Sequence, residues 1–347
     1  MKVSTGVFRG RARRAVVALM AGSLVLAACG DGEEDAAGGD EVEVVEMLID
    51  PSGTAIHVAH TEGLFDGCDV DLTEVGYGEV GSLFVAGTSP LTLIAPHEVA
   101  NEISLGEDMI FLSTAGALNF INGLAVRDED AGTYQSIPDL QGETIGIPGF
   151  GSGTWAAFEG LVSSAYGLNA REDFNIVEAS PGALLGLLEG GEIEAALLFS
   201  GGTAGAMASD DFVRLTSFSE AWQAETGQIL TSTGIAARTD WFNDNQDLAA
   251  CLIRGFDAGV QWMMDNPDEW AEDGKYADRA DGEGWLSSPE VNELIRGELA
   301  AGNWYQSHDL YTQEWIDSTY RFGESTFTGE GDMPAIDEVF APAGWVS

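Results

Sequence analysis

The chain has 347 residues, of which 45% are hydrophobic, so it is long enough to bury the cores of two ordinary domains. It contains 14 Lys and Arg residues against 58 Asp and Glu residues, a formal net charge of −44. This excess of acid excludes nucleic acid as a partner, because phosphate binding requires clustered basic residues.

The first 28 residues are organised as a secretory signal. Basic residues without acidic neighbours open the chain: Lys2, Arg9, Arg11, Arg13 and Arg14. A run of small and apolar residues follows from Ala15 to Ala28, and it is too short to cross a bilayer as a permanent helix. Residues 1–28 are therefore predicted to be a leader that directs export.

The leader ends in Leu26, Ala27, Ala28 and Cys29, a sequence that resembles a bacterial lipobox. This resemblance implies cleavage before Cys29 and lipidation of that cysteine, which gives an extracytoplasmic protein anchored to the cell membrane. One acyl chain is a marginal anchor, but several hold a protein firmly. An ordinary signal with an incidental cysteine is the alternative.

Residues 29–40 are rich in Gly, Asp, Glu and Ala and have no apolar periodicity, which predicts a flexible tether. Loss of the leader removes five of the 14 basic residues and leaves nine against 58 acidic residues, a net charge of −49. We interpret this charge as a solvated, halophilic type of surface, since salt screens the repulsion between its carboxylates.

From residue 41 onward, short β-type runs alternate with amphipathic runs, which predicts an α/β fold with mainly parallel sheet. A first set of strands is predicted at 42–49, 70–75, 91–95 and 109–113, with helices at 54–65, 80–86 and 98–105. A second set is predicted at 120–127, 144–147, 174–178, 195–199, 213–218 and 229–238, with helices at 155–166 and 181–189. Beyond Trp241, apolar residues recur every three to four positions, which predicts a helical tail.

Four segments in this order resemble type II periplasmic binding proteins, in particular the nitrate, sulfonate, taurine and thiamine-precursor (NMT1-like) group. They are Ala59–Phe65 with Cys68–Val70, Ile137–Gly146, Leu188–Ala196, and Gly234–Phe242 with Asp265–Glu269. Glu194 replaces the usual aspartate of the third segment, and Ala86–Leu91 departs from the Gly-x-Asp pattern of the family. The resemblance extends from residue 41 to about residue 270.

The resemblance implies a bilobed protein that closes on a small solute and delivers it to the permease subunits of an ABC importer. The first lobe would consist of residues 41–122 and 238–347 and the second of residues 123–237, with the helical tail packed on the first lobe. The protein would be a monomer without cofactor or catalytic activity. The solute would be a sulfonate-like organic anion or a planar, pyrimidine-like compound.

Two other functions remain open. A solute-sensing lipoprotein that acts with a membrane receptor would have the same features. The pyrimidine-precursor enzymes of the same fold carry a cysteine-rich run that this chain lacks. A hydrolase nucleophile turn, Gly-x-Ser-x-Gly, is also missing, because the similar segment is Gly149-Phe150-Gly151.

Cys68 and Cys251 remain once Cys29 is assigned to the anchor, and the chain contains no Cys-x-x-Cys metal motif. Export permits a disulfide between them. The resemblance puts both cysteines in the first lobe, which raises the expectation that they are bridged.

Two glycine-containing loops, each between a strand and a helix, are the predicted solute site, because ligands gather at the carboxyl ends of parallel strands and at helix starts. The candidate binding residues are Ser52, Gly53, Thr54, His57, Gly151, Ser152, Gly153, Thr154, Trp155 and Ser200. Trp155 is a candidate for stacking on a planar solute. Plain helix capping is the alternative for the loops. No basic residue lies in either loop, so an anion would be held by neutral donors and helix ends.

His57, His60 and His97 could in principle hold a metal, but zinc requires convergent ligands with carboxylate support. We therefore favour packed or surface histidines and predict no metal site.

The charge predicts salt-dependent stability. The melting temperature of the purified protein should rise from low to molar salt, because screening weakens the repulsion among surface carboxylates. A melting temperature that stays flat over this range would contradict the interpretation.

Overall fold

The computed structural model describes residues 44–49, 53–75, 79–114, 122–150, 152–329 and 331–346. The predicted leader, Cys29 and the tether lie outside these residues, as does Ser52. All described residues belong to one compact unit.

The described residues form ten strands and thirteen α-helices. The strands are β1 Val44–Ile49, β2 Asp69–Glu74, β3 Leu91–Ile94, β4 Ile110–Thr114, β5 Asn122–Arg127, β6 Thr144–Ile147, β7 Asn175–Glu178, β8 Ala195–Phe199, β9 Phe212–Ser217 and β10 Gly234–Ala237. The helices are α1 Thr54–Thr61, α2 Val80–Val85, α3 Pro96–Ser104, α4 Gly153–Tyr166, α5 Pro181–Glu189, α6 Ser200–Met207, α7 Phe218–Thr226, α8 Thr239–Asp244, α9 Gln246–Asp265, α10 Ala277–Gly282, α11 Pro289–Ala300, α12 Gln313–Thr326 and α13 Ile336–Val339.

These strands make two five-stranded sheets, with the orders β2-β1-β3-β10-β4 and β7-β6-β8-β5-β9. In the first sheet β1 is parallel to β2 and β3, and β10 runs antiparallel to β3 and β4. In the second sheet β6 is parallel to β7 and β8, and β5 runs antiparallel to β8 and β9. The predicted α/β, bilobed architecture is confirmed, but each sheet is mixed because one strand in each runs against its neighbours.

These two antiparallel strands shift the lobe boundaries from their predicted positions. Strand β10 lies within the range predicted for the second lobe, yet it pairs in the first sheet. Asn122, predicted to end the first lobe, begins β5 of the second sheet. The crossovers therefore precede Asn122 and Gly234, since a strand belongs to the sheet that satisfies its backbone hydrogen bonds.

Each sheet has its own apolar core. In the first lobe, α1 and α9 pack on the sheet, and Gly259 allows the close approach, because a Cβ there would lie 2.2 Å from the Ala55 carbonyl oxygen. Cys68, just before β2, forms a disulfide with Cys251 of α9. The second core contains Trp155, Phe158 and Trp222. Both cysteines thus lie in the first lobe, as the resemblance implied.

The helical tail packs on the first lobe, and α12 also contacts the second. Trp315 of α12 lies in an apolar cluster with Phe111 of β4, whereas Phe322 packs into the core of the second lobe. The indole nitrogen of Trp222 donates to the Ser318 hydroxyl of α12 at 3.0 Å. Helix α12 therefore links the two lobes in addition to the two crossovers.

Within the described ranges, no helix combines the length and the apolar character needed to cross a membrane.

The contact between α4 and α12 depends on Gly160, where a Cβ would lie 2.1 Å from Thr326 Cγ2. Gly160→Ala should therefore lower the free energy of unfolding by about 1–3 kcal/mol, as overpacking does. Gly186→Ala is the matched control, because Gly186 lies in α5 and a Cβ at this position would meet nothing within 4 Å. It should stabilise the protein by about 0.5–1 kcal/mol. Urea unfolding measures both changes, and equal effects of the same sign would contradict this packing.

Candidate functional site

The candidate site is built from the carboxyl-terminal edges of the two sheets. Neighbouring strands β1 and β3 lead into α1 and α3, and neighbouring strands β6 and β8 lead into α4 and α6. This edge is where α/β sheets bind ligands. Two contacts bring the edges together: a Cβ on Gly153 of α4 would lie 3.5 Å from Glu98 Oε1 of α3, and Ser200 of α6 donates to Glu283 Oε2 at 3.0 Å. The start of α4 therefore lies against α3 of the first lobe, and the start of α6 lies against the tail.

At the start of α1, the buried Thr54 is held by a basic residue from the tail. Its hydroxyl oxygen accepts a hydrogen bond from Arg279 Nε at 3.0 Å. Arg279 Nη1 lies 2.9 Å from Glu74 Oε2 at the end of β2. The adjoining Gly53 precedes the helix without a side-chain cap. The expectation that only neutral donors and helix ends surround this loop is thus corrected, because the fold brings a guanidinium to it.

The histidines predicted near this loop do not converge. His57 is half-buried, with Nδ1 at 3.8 Å from Glu74 Oε2. Burial and then the Arg279 charge lower its pKa, which keeps the ring neutral at neutral pH. His60 is exposed, whereas His97 is buried in α3 against Phe322. Among the described residues, no group of three or more His, Cys, Asp and Glu side chains could hold a metal ion.

At the start of α4, Ser152 is a helix cap. Its hydroxyl accepts from the backbone N–H of Trp155 at 3.1 Å and donates to the Gly149 carbonyl at 2.8 Å. Gly153 is exposed and Thr154 is half-buried, while Gly151 lies outside the described residues. In this conformation the hydroxyl of Ser152 therefore acts as a helix cap, as the alternative interpretation of the loop predicts.

Trp155 lies in the core of the second lobe, not at its surface. Its ring is fully buried, with Phe150 in an edge contact at 5.2 Å and the Arg171 guanidinium at 5.3 Å. The idea that Trp155 stacks on a planar solute is not supported by this position. The third residue of α4 faces the sheet, so its large ring is used for packing.

The start of α6 makes the second contact between the lobes. Ser200 has φ 44°, the one positive value among the described residues that are not glycine, and such strain concentrates at functional sites. Gly201 allows close approach, because a Cβ there would lie 2.7 Å from the Glu283 carbonyl oxygen. One turn further, Ala204 is fully buried in the same cluster as Trp285 and Trp304 of the tail. Ser200 therefore lies at a packed junction between the lobes.

A polar group lies at the end of β4, where the first crossover leaves the sheet. Ser113 Oγ hydrogen-bonds His308 Nδ1 at 2.7 Å, and Thr114 Oγ1 donates to the Ser307 carbonyl at 2.9 Å. The backbone N–H of His308 donates to Asp257 Oδ1 at 2.7 Å. Burial raises the pKa of Asp257 to about 6, although the His308 hydrogen bond opposes the shift. Burial also lowers the pKa of His308.

Two α/β lobes with two crossovers and opposed helix starts define a bilobed periplasmic-binding-protein fold of type II. The chain belongs to the NMT1/THI5-like family, whose model matches residues 50–270. A search of curated proteins found no match.

Solved structures of the same fold cover most of the chain. A Bordetella bronchiseptica RB50 protein is 15% identical, with a TM-score of 0.64, 87% of this chain covered and 95% of that one. The periplasmic sulfonate-binding protein SsuA from Methylobacillus flagellatus KT is 17% identical, with a TM-score of 0.61 and coverages of 87% and 92%. The periplasmic nitrate-binding protein NrtA from Synechocystis PCC 6803 is 13% identical, with a TM-score of 0.56 and coverages of 86% and 86%. These TM-scores show a shared fold.

The raised pKa of Asp257 predicts a pH-dependent stability. The pKa of Asp257 in the folded protein is about 6, above the ordinary value of 3.8, so the folded state binds this proton more tightly than the unfolded state does. The free energy of unfolding therefore falls as the pH rises from about 3.8 through about 6. Asp257→Asn, which can still accept the His308 hydrogen bond, should be more stable than the unaltered protein at neutral pH.

This advantage should shrink as the pH falls from about 6 toward 3.8. Urea unfolding at a series of pH values measures it, with the exposed Asp265→Asn on the same helix as control. An advantage that does not change with pH would contradict the assignment.

Proposed function

We propose that this protein is the extracytoplasmic solute-binding lipoprotein of an ABC importer. It captures a small organic solute, a sulfonate-like anion or a pyrimidine-like compound, by closing its lobes, and passes it to the permease subunits. Lipidation of Cys29 anchors the protein to the outer face of the cell membrane, and residues 29–40 let it move about that anchor. The first lobe contains residues before Asn122 and after the second crossover, and the second lobe lies between the crossovers.

The observation that carries this proposal is the opposition of helix starts across the join between the lobes. The contacts that support it join the start of α4 to α3 and the start of α6 to the tail of the first lobe, and α1 begins at the same edge of the first sheet as α3. Helix starts present backbone N–H groups and partial positive charge, which suits an anionic or strongly polar solute. The sulfonate- and nitrate-binding proteins of the same fold support the anion class.

The described hydroxyls support a binding role over a catalytic one. Ser152 is used as a helix cap, and Ser200 donates to a carboxylate that belongs to the other lobe. Both hydroxyls are thus used for contacts within or between the lobes.

Closure follows from the contacts between the lobes. A solute that touches both lobes binds the closed state better than the open one, and it shifts the population by that difference in affinity. The solute also raises the free energy of unfolding, by about 2.7 kcal/mol when its concentration is 100 times Kd, and the melting temperature rises with it.

A thermal-shift screen of the mature protein tests the proposal. The panel contains organic sulfonates, small carboxylates, nitrate and pyrimidines, each at millimolar concentration. One chemical class should raise the melting temperature in proportion to the logarithm of concentration, and titration calorimetry should give one site per chain. Sodium chloride at equal ionic strength is the control, because the acidic surface responds to salt. No shift beyond this control for any class would contradict the function.

A further inference from the structure

The turn of chain around α10 contacts both lobes and lies beyond the family match, which ends at residue 270. Arg279 of α10 donates to Thr54 at the start of α1. Glu283, which follows α10, accepts from Ser200 at the start of α6. A single turn of the tail therefore connects the first helix of one lobe with the cleft edge of the other.

Arg279 is the most buried cation of the described ion pairs, since its side chain is 11% exposed. A buried guanidinium needs an anion, because an uncompensated charge in low dielectric costs several kcal/mol. The nearby start of α1 adds partial positive charge. Water screens this guanidinium less than it screens the exposed cations, so an anion that pairs with Arg279 gains more than it would at an exposed pair.

The present anion at Arg279 is easy to displace. Glu74 reaches the guanidinium from the end of β2, and its side chain is 41% exposed, so it can return to water at little cost. Arg279 itself is fixed by the buried hydroxyl of Thr54. A guanidinium offers several donors in one plane and binds planar or tetrahedral oxyanions with paired hydrogen bonds.

We propose that Arg279 binds the anionic group of the solute, which takes the place of Glu74, and that this residue makes the site prefer organic anions over uncharged pyrimidine-like compounds. The inference rests on the proposed function, because it names the solute class of the same cleft. The same turn also joins the lobes, because Glu283 accepts a hydrogen bond from Ser200 at the start of α6.

Substitutions of Arg279 and of Glu74 should change the affinity for the solute in opposite directions. Calorimetry of the mature protein with ethanesulfonate measures the affinity. Arg279→Gln should weaken binding by about 10- to 100-fold, the value of a charged hydrogen bond. Glu74→Gln should tighten binding, because it removes the competitor for the guanidinium. If the ion pair had a purely structural role, both substitutions would weaken binding.

The Arg214–Glu220 pair of the second lobe is the matched control, with an N–O distance of 2.8 Å and side-chain exposures of 16% and 44%. Arg214→Gln and Glu220→Gln should leave the affinity for ethanesulfonate unchanged. Melting curves identify any variant that fails to fold, and if Arg279→Gln fails, Glu74→Gln decides the question alone.

The outcomes separate this inference from the proposed function. Tighter binding by Glu74→Gln together with loss in Arg279→Gln supports Arg279 as the anion-binding residue. Weaker binding by Glu74→Gln overturns it. Binding of cytosine in place of ethanesulfonate by the unaltered protein overturns it too, while the solute-binding function stands. If no compound of the thermal-shift panel binds, the function itself fails and this inference with it.

Discussion

Two contacts join the two lobes beside the candidate site, and the site depends on both. One joins the starts of α3 and α4 at Glu98 and Gly153, and the other is the hydrogen bond from Ser200 to Glu283. Glycine at position 201 is required for the second contact, because a Cβ there would lie 2.7 Å from the Glu283 carbonyl oxygen. Close approach of backbone thus joins α6 to the tail, and the charged side chains of Arg279 and Glu283 lie beside this junction.

The alternation of strands and helices could be predicted from sequence because apolar periodicity records which face of each element is buried. The sheet to which β10 belongs could not be predicted, since by pattern alone its apolar run could pair in either sheet. Helix α6 was missed because its sequence, with three glycines in eight residues, has low helix propensity and gains stability from tertiary burial of Thr203, Ala204 and Ala206. Helix α7 did carry a usable signal, the capping box of Ser217 and Glu220.

The candidate site divides in the same way. Strand-to-helix loops could be recognised locally, and the structure keeps Gly53, Thr54, Ser152 and Gly153 at helix starts. The orientation of Trp155 was misjudged, because neighbouring residues of a helix point in different directions: Gly153 is exposed, whereas Trp155 is buried. Arg279 had no local signal at all, since it lies 225 residues from Thr54 along the chain. A contact made by the tail can only be found once the tail is folded onto the lobe.

The position of Arg279 also bears on how solute preference is encoded. Residues 50–270 match the family and contain every described strand except β1, together with the starts of the helices that follow the strands. The tail then adds Arg279 at one lobe and Glu283 at the junction. Because a tail folded onto one lobe can change without disturbing either sheet, charge selection can vary among proteins that share this cleft. The anion preference proposed for Arg279 would then be set by a residue outside the range that the family model matches.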